Sequence, residues 1–248
     1  MGIDLEKMKQ KRAALMNKDP NRDIFWKPQD GDTTIRIVPT SDGDPFKEFW
    51  FHYNLGRTPG FLSPKKNFGE ADPLDDFVRK LFNERSEDSI KMAKNLMARQ
   101  RFFAPVIVRG EEEKGVQIWG FGKRVYQDLL DLVLNPDYGD ITDVESGTDL
   151  KITYGKPPGA QFPVTNVTPR RRSSALSEDE ELSTQWLDSI PEFAQVFDRK
   201  TPEEVGTLLE DYLNGDLDAE QASTETTKFS SGSTTTTVDK AFSDLLGA

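Results

Sequence analysis

His52 and the run Glu70-Ala71-Asp72-Pro73-Leu74-Asp75-Asp76 carry the residue types that most readily suggest chemistry in this chain. One histidine upstream of clustered carboxylates has the makings of a divalent-metal site or an acid–base pair, and a metal-dependent nuclease is the enzyme such a set would serve. The same run also meets each local requirement of a helix start. Asp72 can accept from the first free amides, and Pro73 fits the first helical position, where its missing donor costs nothing. Asp75 and Asp76 then face the positive end of the helix dipole. An apolar stripe of Leu74, Phe77, Val78, Leu81 and Phe82 follows at helical spacing. Capping is the reading we expect to hold.

Other catalytic signatures are missing. The sequence has one histidine and no cysteine. That removes disulfides, thiolate zinc sites and cysteine nucleophiles, and leaves a Ser/His/Asp site open only through His52. There is no Gly-x-Ser-x-Gly elbow, and "GFGKR" at 120–124 lacks the glycine spacing and the Ser/Thr of a phosphate-binding loop. We expect a protein that is not an enzyme and needs no cofactor.

A denser pattern interleaves cations with aromatic rings. "ARQRFFAPVIVRG" sets Arg99 and Arg101 beside Phe102 and Phe103, and "IWGFGKRVY" sets Trp119 and Phe121 beside Lys123 and Arg124. "FWFHYNLGRTPGFLSPKK" adds Trp50, Arg57, Phe61, Lys65 and Lys66, and "TPRRRSSAL" offers Arg170, Arg171 and Arg172 to phosphates. Single-stranded nucleic acid is held this way: cations track the phosphates, and bases stack on aromatic faces at roughly 1–3 kcal/mol each. The same rings would also suit the core of a small barrel flanked by solvated cations. Three clusters in one half of the chain favour binding.

That half is distinguished by its charge. The net charge is −11 over 248 residues. Residues 1–176 hold 28 Lys and Arg against 26 Asp and Glu, whereas residues 177–248 hold 4 against 17. The acidic total therefore does not exclude a polyanionic partner for the body. Residues 1–20 form a basic arm with Lys7, Lys9, Lys11 and Arg12, ended by Pro20.

Between 21 and 214, six runs alternate as strands do: "TTIRIV", "FKEFWFHY", "APVIV", "GVQIWGF", "DLKITY" and "FPVTNV". Helical stretches separate them, including a subdomain at about 64–101 and acidic helices at about 177–214 with caps at Ser177 and Thr201. The expected class is α+β, a small β-barrel with helical insertions. Residues 215–237 are dominated by Ser and Thr and read as a disordered linker. Residues 238–248 read as an acidic amphipathic tip for docking, with Asp239, Phe242, Asp244, Leu245 and Leu246. No apolar run suits a membrane span or a secretory signal, which points to a cytosolic protein.

The order and spacing of "FWKPQDGDTTIRIVPTSDGDPF", "EADPLDDFVRKLFNE", "ARQRFFAPVIVRGEEEKGVQIWGFGKRVYQDLLDLV" and the ending "FSDLLGA" resemble the single-stranded DNA-binding, helix-destabilising proteins of T4-like phages, especially their relatives in marine cyanophages. The resemblance covers most of the chain and implies an OB-fold core in the cytoplasm of an infected bacterial host, binding single-stranded DNA in replication, recombination and repair. It implies self-association along DNA through Lys7, Lys9, Lys11 and Arg12. It also implies recruitment of replication and recombination proteins by the acidic tail. Phe102, Phe103, Trp119, Phe121, Lys123 and Arg124 fall in cleft-forming positions, and Arg99 and Arg101 on a related basic stretch. T4-type members hold zinc with one histidine and three cysteines. Here His52 matches the histidine, Asp72 and Asp75 stand in place of a Cys-x-x-Cys pair, and a structural zinc is not expected. A phage scaffolding protein with a basic core and an acidic interaction tail is the alternative from another class.

Overall fold

The computed structural model describes residues 24–215. The basic arm residues Lys7, Lys9, Lys11 and Arg12, the linker, and the tip residues Asp239, Phe242, Asp244, Leu245 and Leu246 lie outside the described residues. The strands are β1 Phe25–Trp26, β2 Gly31–Ile37, β3 Lys47–His52, β4 Phe61–Leu62, β5 Arg99–Val108, β6 Gln117–Phe121, β7 Thr148–Gly155 and β8 Val164–Ser173. The helices are α1 Pro64–Phe68, α2 Pro73–Glu84, α3 Glu87–Leu96, α4 Lys123–Leu134, α5 Glu180–Asp188, α6 Phe193–Val196 and α7 Pro202–Asn214. The class is mixed α and β, as the patterning predicts. The chain divides into two compact units, one of residues 24–48 and 102–196, the other of 49–101 and 197–215. The helical subdomain expected at about 64–101 lies within the second unit. The acidic helices are shared out, α5 and α6 in the first and α7 in the second.

In the first unit the strand order is β1-β6-β5-β2-β7-β8. All neighbours are antiparallel except β1 and β6, which pair in parallel through Phe25 with Ile118 and Trp26 with Trp119. The expected barrel does not close: β1 and β8 stand at opposite ends of the order. Sequence chemistry accounts for the opening. β1 occupies the outer edge of β6, and β8 carries Pro169 and three arginines, which suit an edge strand and discourage further pairing.

One face of this sheet buries Ile35, Ile37, Phe102, Ala104, Val106, Trp119, Leu150 and Ile152, and Val125 and Leu129 of α4 pack against it. Aromatic edges organise the core. Trp26 meets Trp119 edge-on at 5.7 Å, and Phe102 stacks on Tyr126 at 3.9 Å. The opposite face is covered in part by Leu176 and Trp186, packed with Val38 and Ile107.

Alternation predicts that Arg36 of β2 faces away from the apolar side, and it does, but into a buried network. Arg36 is fully buried. Its Nε donates to Asp149 Oδ1 at 2.9 Å, and its Nη2 donates to the Ser174 carbonyl at 2.8 Å and to Ser174 Oγ at 2.7 Å. Arg109 donates to the same carboxylate at 3.0 Å and to the Leu176 carbonyl at 2.8 Å. Burial presses the Arg36 guanidinium below its ordinary pKa, and Asp149 opposes that shift. Two arginines on one aspartate thus tie the segment after β8 to the sheet.

The second unit is mainly helical. Leu55, Phe61, Leu74, Phe77, Leu81 and Leu96 form its core with Val205 and Leu209 of α7. Each main helix starts on a side-chain cap. Asp72 accepts from the Asp75 amide at 3.1 Å, and Ser86 accepts from the Ser89 amide at 3.0 Å. Thr201 and Glu204 complete a reciprocal capping box, as the sequence predicts. The predicted cap at Ser177 is displaced in the first unit. Asp179 caps α5 by accepting from the amides of Glu181 and Leu182, while Ser177 accepts from the Asp179 amide. Aspartate is as good a cap as serine, and the turn formed by Ser177 delays the helix by two residues.

Candidate nucleic-acid interface

His52 and Asp72 do come together, but not at a surface. Both are buried, with His52 Nε2 2.9 Å from Asp72 Oδ2. Ser63 Oγ donates to that same oxygen at 2.6 Å, and His52 Nδ1 lies 3.3 Å from the Leu96 carbonyl. Burial alone would raise the Asp72 carboxyl. The His52, Ser63 and Asp75 donors outweigh it and hold the group below the usual aspartate value. The trio has the composition of a hydrolase triad in the wrong order, since the serine proton goes to the carboxylate and the histidine bonds that same oxygen. Asp75 turns elsewhere, 3.1 Å from Lys65, and Asp76 pairs with Lys65 at 3.0 Å. Among the described residues no group of three or more His, Asp and Glu is placed to hold a metal. The cluster fastens β3, α1 and α2 to one another. His52 and Asp72, the pair the sequence offered to a nuclease, belong here to a buried network with Ser63.

The predicted binding aromatics divide sharply. Phe61, Phe102, Phe103, Trp119 and Phe121 are buried, so their rings build the cores and do not face solvent as stacking platforms. Strand geometry separates Phe102 from Phe103, since neighbours along β5 point to opposite faces. Phe102 lies against Tyr126, while Phe103 lies over Gly120, where an added Cβ would come 2.9 Å from its ring. Trp50 is half-buried, with the Lys66 ammonium 5.5 Å from its ring centroid.

Sequence reasoning missed Tyr53 as a binding candidate, although it sits in the same aromatic run. Its ring stacks with Phe51 at 5.8 Å and lies against Gly60, whose missing side chain makes room for it. Burial raises the Tyr53 phenol, and the neighbouring Arg101 and Arg99 pull it back. Tyr53 thus lies within the electrostatic reach of Arg99 and Arg101 in the second unit.

The predicted cations fare differently from the rings. Among the described residues Arg99, Arg101, Lys123, Arg124, Arg170, Arg171 and Arg172 have no carboxylate at ion-pair distance. Lys65 is held by Asp75 and Asp76 instead, and Arg57 is exposed on a turn. Lys123 and Arg124 are exposed in the first turn of α4, whose Gly122 cap supplies no side-chain acceptor. Cations there oppose the usual preference of a helix N-terminus for acids, and they concentrate positive potential at one point.

Arg170, Arg171 and Arg172 lie in β8 itself, which runs on past the expected strand "FPVTNV" to Ser173. With Lys151, Thr168 and Pro169 they line an open concavity of about 430 Å³. Lys151 bonds Asp32 at 3.1 Å, and Arg170 reaches Thr34 Oγ1 at 3.2 Å, so both lie along the polar face of β2, β7 and β8. The signal for this surface was present in the sequence. From Leu150 to Ser177 there is no acidic residue, while Lys151, Lys156, Arg170, Arg171 and Arg172 are all cationic.

Two further concavities occur in the first unit, one beside Phe25, Trp26 and Lys27, the other beside Trp186 and Glu112. No helix among the described residues is long and apolar enough to cross a membrane. The chain matches no protein-family model, and comparison with curated proteins finds no match.

Proposed function

We propose that this chain is a non-enzymatic protein that binds single-stranded DNA without sequence preference, of the kind T4-like phages use to protect and organise DNA in replication, recombination and repair. The observation that carries the reading is the β7–β8 hairpin. From Leu150 to the end of β8 it has no carboxylate, and its three consecutive arginines are exposed, without an ion pair among the described residues, and set along an open concavity. A cation left without a partner is worth little to stability but is ready to displace counterions from a phosphate chain. The connectivity supports an OB-type reading of the first unit. β2, β5 and β6 form a meander, α4 follows the third strand and packs its apolar side into the core, and β7 and β8 return to the far edge of β2. On this reading β1 fills the position at which an OB barrel would close. Self-association through the N-terminal arm and recruitment of partners by the acidic tail complete the proposal.

Fluorescence polarisation tests it, with a labelled oligonucleotide offered as single-stranded DNA, as duplex and as single-stranded RNA, with and without magnesium. The expected result is tight, strongly salt-dependent binding of the single strand and weaker binding of duplex, with the probe left intact. Arg171→Ala/Arg172→Ala should weaken binding and flatten the slope of log K against log salt by about 0.7 for each phosphate that is no longer neutralised. Equal affinity for duplex and single strand would favour a scaffolding role, and degradation of the probe with magnesium would favour a nuclease.

A further inference from the structure

Phe162 is one of the most exposed large apolar side chains among the described residues, at 69% of its full accessibility. It sits in the tip "KPPGAQFP", residues 156–163, between β7 and β8. We infer that Phe162 is a base-stacking residue that gives this surface its preference for unpaired strands. The inference rests on the single-stranded DNA reading above and names an interaction which that reading does not require.

The tip is built to hold a side chain outward. The Ala160 amide donates to the Pro157 carbonyl at 3.0 Å, and Gly159 has φ +81°. This is a turn with Pro158 and Gly159 at its centre, where the positive φ calls for glycine. Pro157, Pro158 and Pro163 each fix one backbone torsion, so the loop has little conformational freedom left to lose when a ligand docks. Phe162 belongs to none of the apolar cores described above. Its surroundings in sequence are cationic: Lys156 begins the tip, Lys151 and Arg170 to Arg172 follow the strands, and no acid lies between Leu150 and Ser177. In the fold Asp32 of β2 is taken up by Lys151 and Thr153, and an apolar face on a hairpin whose other charges from Leu150 onward are cationic suits a polyanion that also offers flat apolar rings. In a duplex those rings are covered by their neighbours; in a single strand they are free to stack.

The test uses the full chain and a fluorescein-labelled oligothymidylate, measured by polarisation over a salt series beside a duplex of equal length. Phe162→Ala should bind the single strand about tenfold more weakly, with an unchanged salt slope and unchanged duplex affinity. Phe162→Trp should keep wild-type affinity, and Arg171→Ala/Arg172→Ala should flatten the slope. Thermal melts of the variants, expected to match wild type, exclude a folding defect at this exposed position. Phe162→Ala affinity within twofold of wild type, in an assay where the arginine variant is impaired, overturns the stacking role and leaves the DNA-binding reading standing. Failure of the wild-type chain to bind any single strand overturns both.

Discussion

Asp72 illustrates how one side chain can carry several structural duties. Its Oδ1 caps α2, and its Oδ2 takes donors from Ser63 and His52. Asp72→Ala would strand a buried histidine and a buried hydroxyl and remove a cap, so a loss of about 3–5 kcal/mol is expected in urea unfolding at neutral pH. The acid behaviour follows from the direction of its shift. The folded carboxyl sits below its unfolded value, so its contribution is complete above about pH 4 and is lost as pH falls through the lowered folded value. Asp72→Asn should therefore flatten the decline in stability as pH falls below about 4, and an unchanged acid limb would show that this carboxylate is not what titrates. Asp149 poses a simpler test, because its carboxylate pairs with both Arg36 and Arg109. Asp149→Ala leaves Arg36 buried without its counter-charge and should lower stability by about 3 kcal/mol or more in the same measurement.

At the scale of elements, α4 is the helix whose sequence departs from ordinary capping practice. It begins with Lys123 and Arg124 after an uncapped Gly122, with no acid in its first turn. Lys123→Glu/Arg124→Glu should make the protein more stable by a few tenths to about 1 kcal/mol while weakening single-strand binding severalfold, two readouts of opposite sign. Binding unaffected by this charge reversal would remove α4 from the interface.

Legibility follows the same division between local and long-range causes. The starts of α2 and α7 were readable because a cap, a proline and an acid within four residues determine them. The six expected strands were readable from alternation, but β8 ran on through Arg172 because pairing with β7 supported it. The division into two units was not readable, since it depends on residues over a hundred positions apart. Nor was the burial of Phe61, Phe102, Phe103, Trp119 and Phe121, since a ring beside a cation in sequence is equally at home in a core or a cleft. The arginines were the more dependable half of the pattern: Arg170, Arg171 and Arg172 stay exposed, whereas Lys65 and Lys151 meet carboxylates in the fold.

For the molecule as a whole, charge is segregated along the chain, with 17 acids against 4 cations after residue 176. On the proposed function, an acidic tail tethered to a cationic surface would compete with DNA at high effective concentration. Deleting residues 216–248 should tighten single-strand binding at low salt, with the difference shrinking as salt is raised; equal affinities throughout a salt titration would exclude such competition.

The threefold crossing of the chain between the two units bears on how the protein is made. A nascent chain leaves the ribosome N-terminus first, so β2 emerges early yet waits for β7 and β8, more than a hundred residues downstream, before its sheet is complete. The second unit waits longer still. Its core cluster of Leu55, Leu74 and Phe77 stays open until Val205 and Leu209 have emerged. Apolar surface from both units is thus exposed together late in synthesis, and stop codons placed before residue 197 should yield insoluble product.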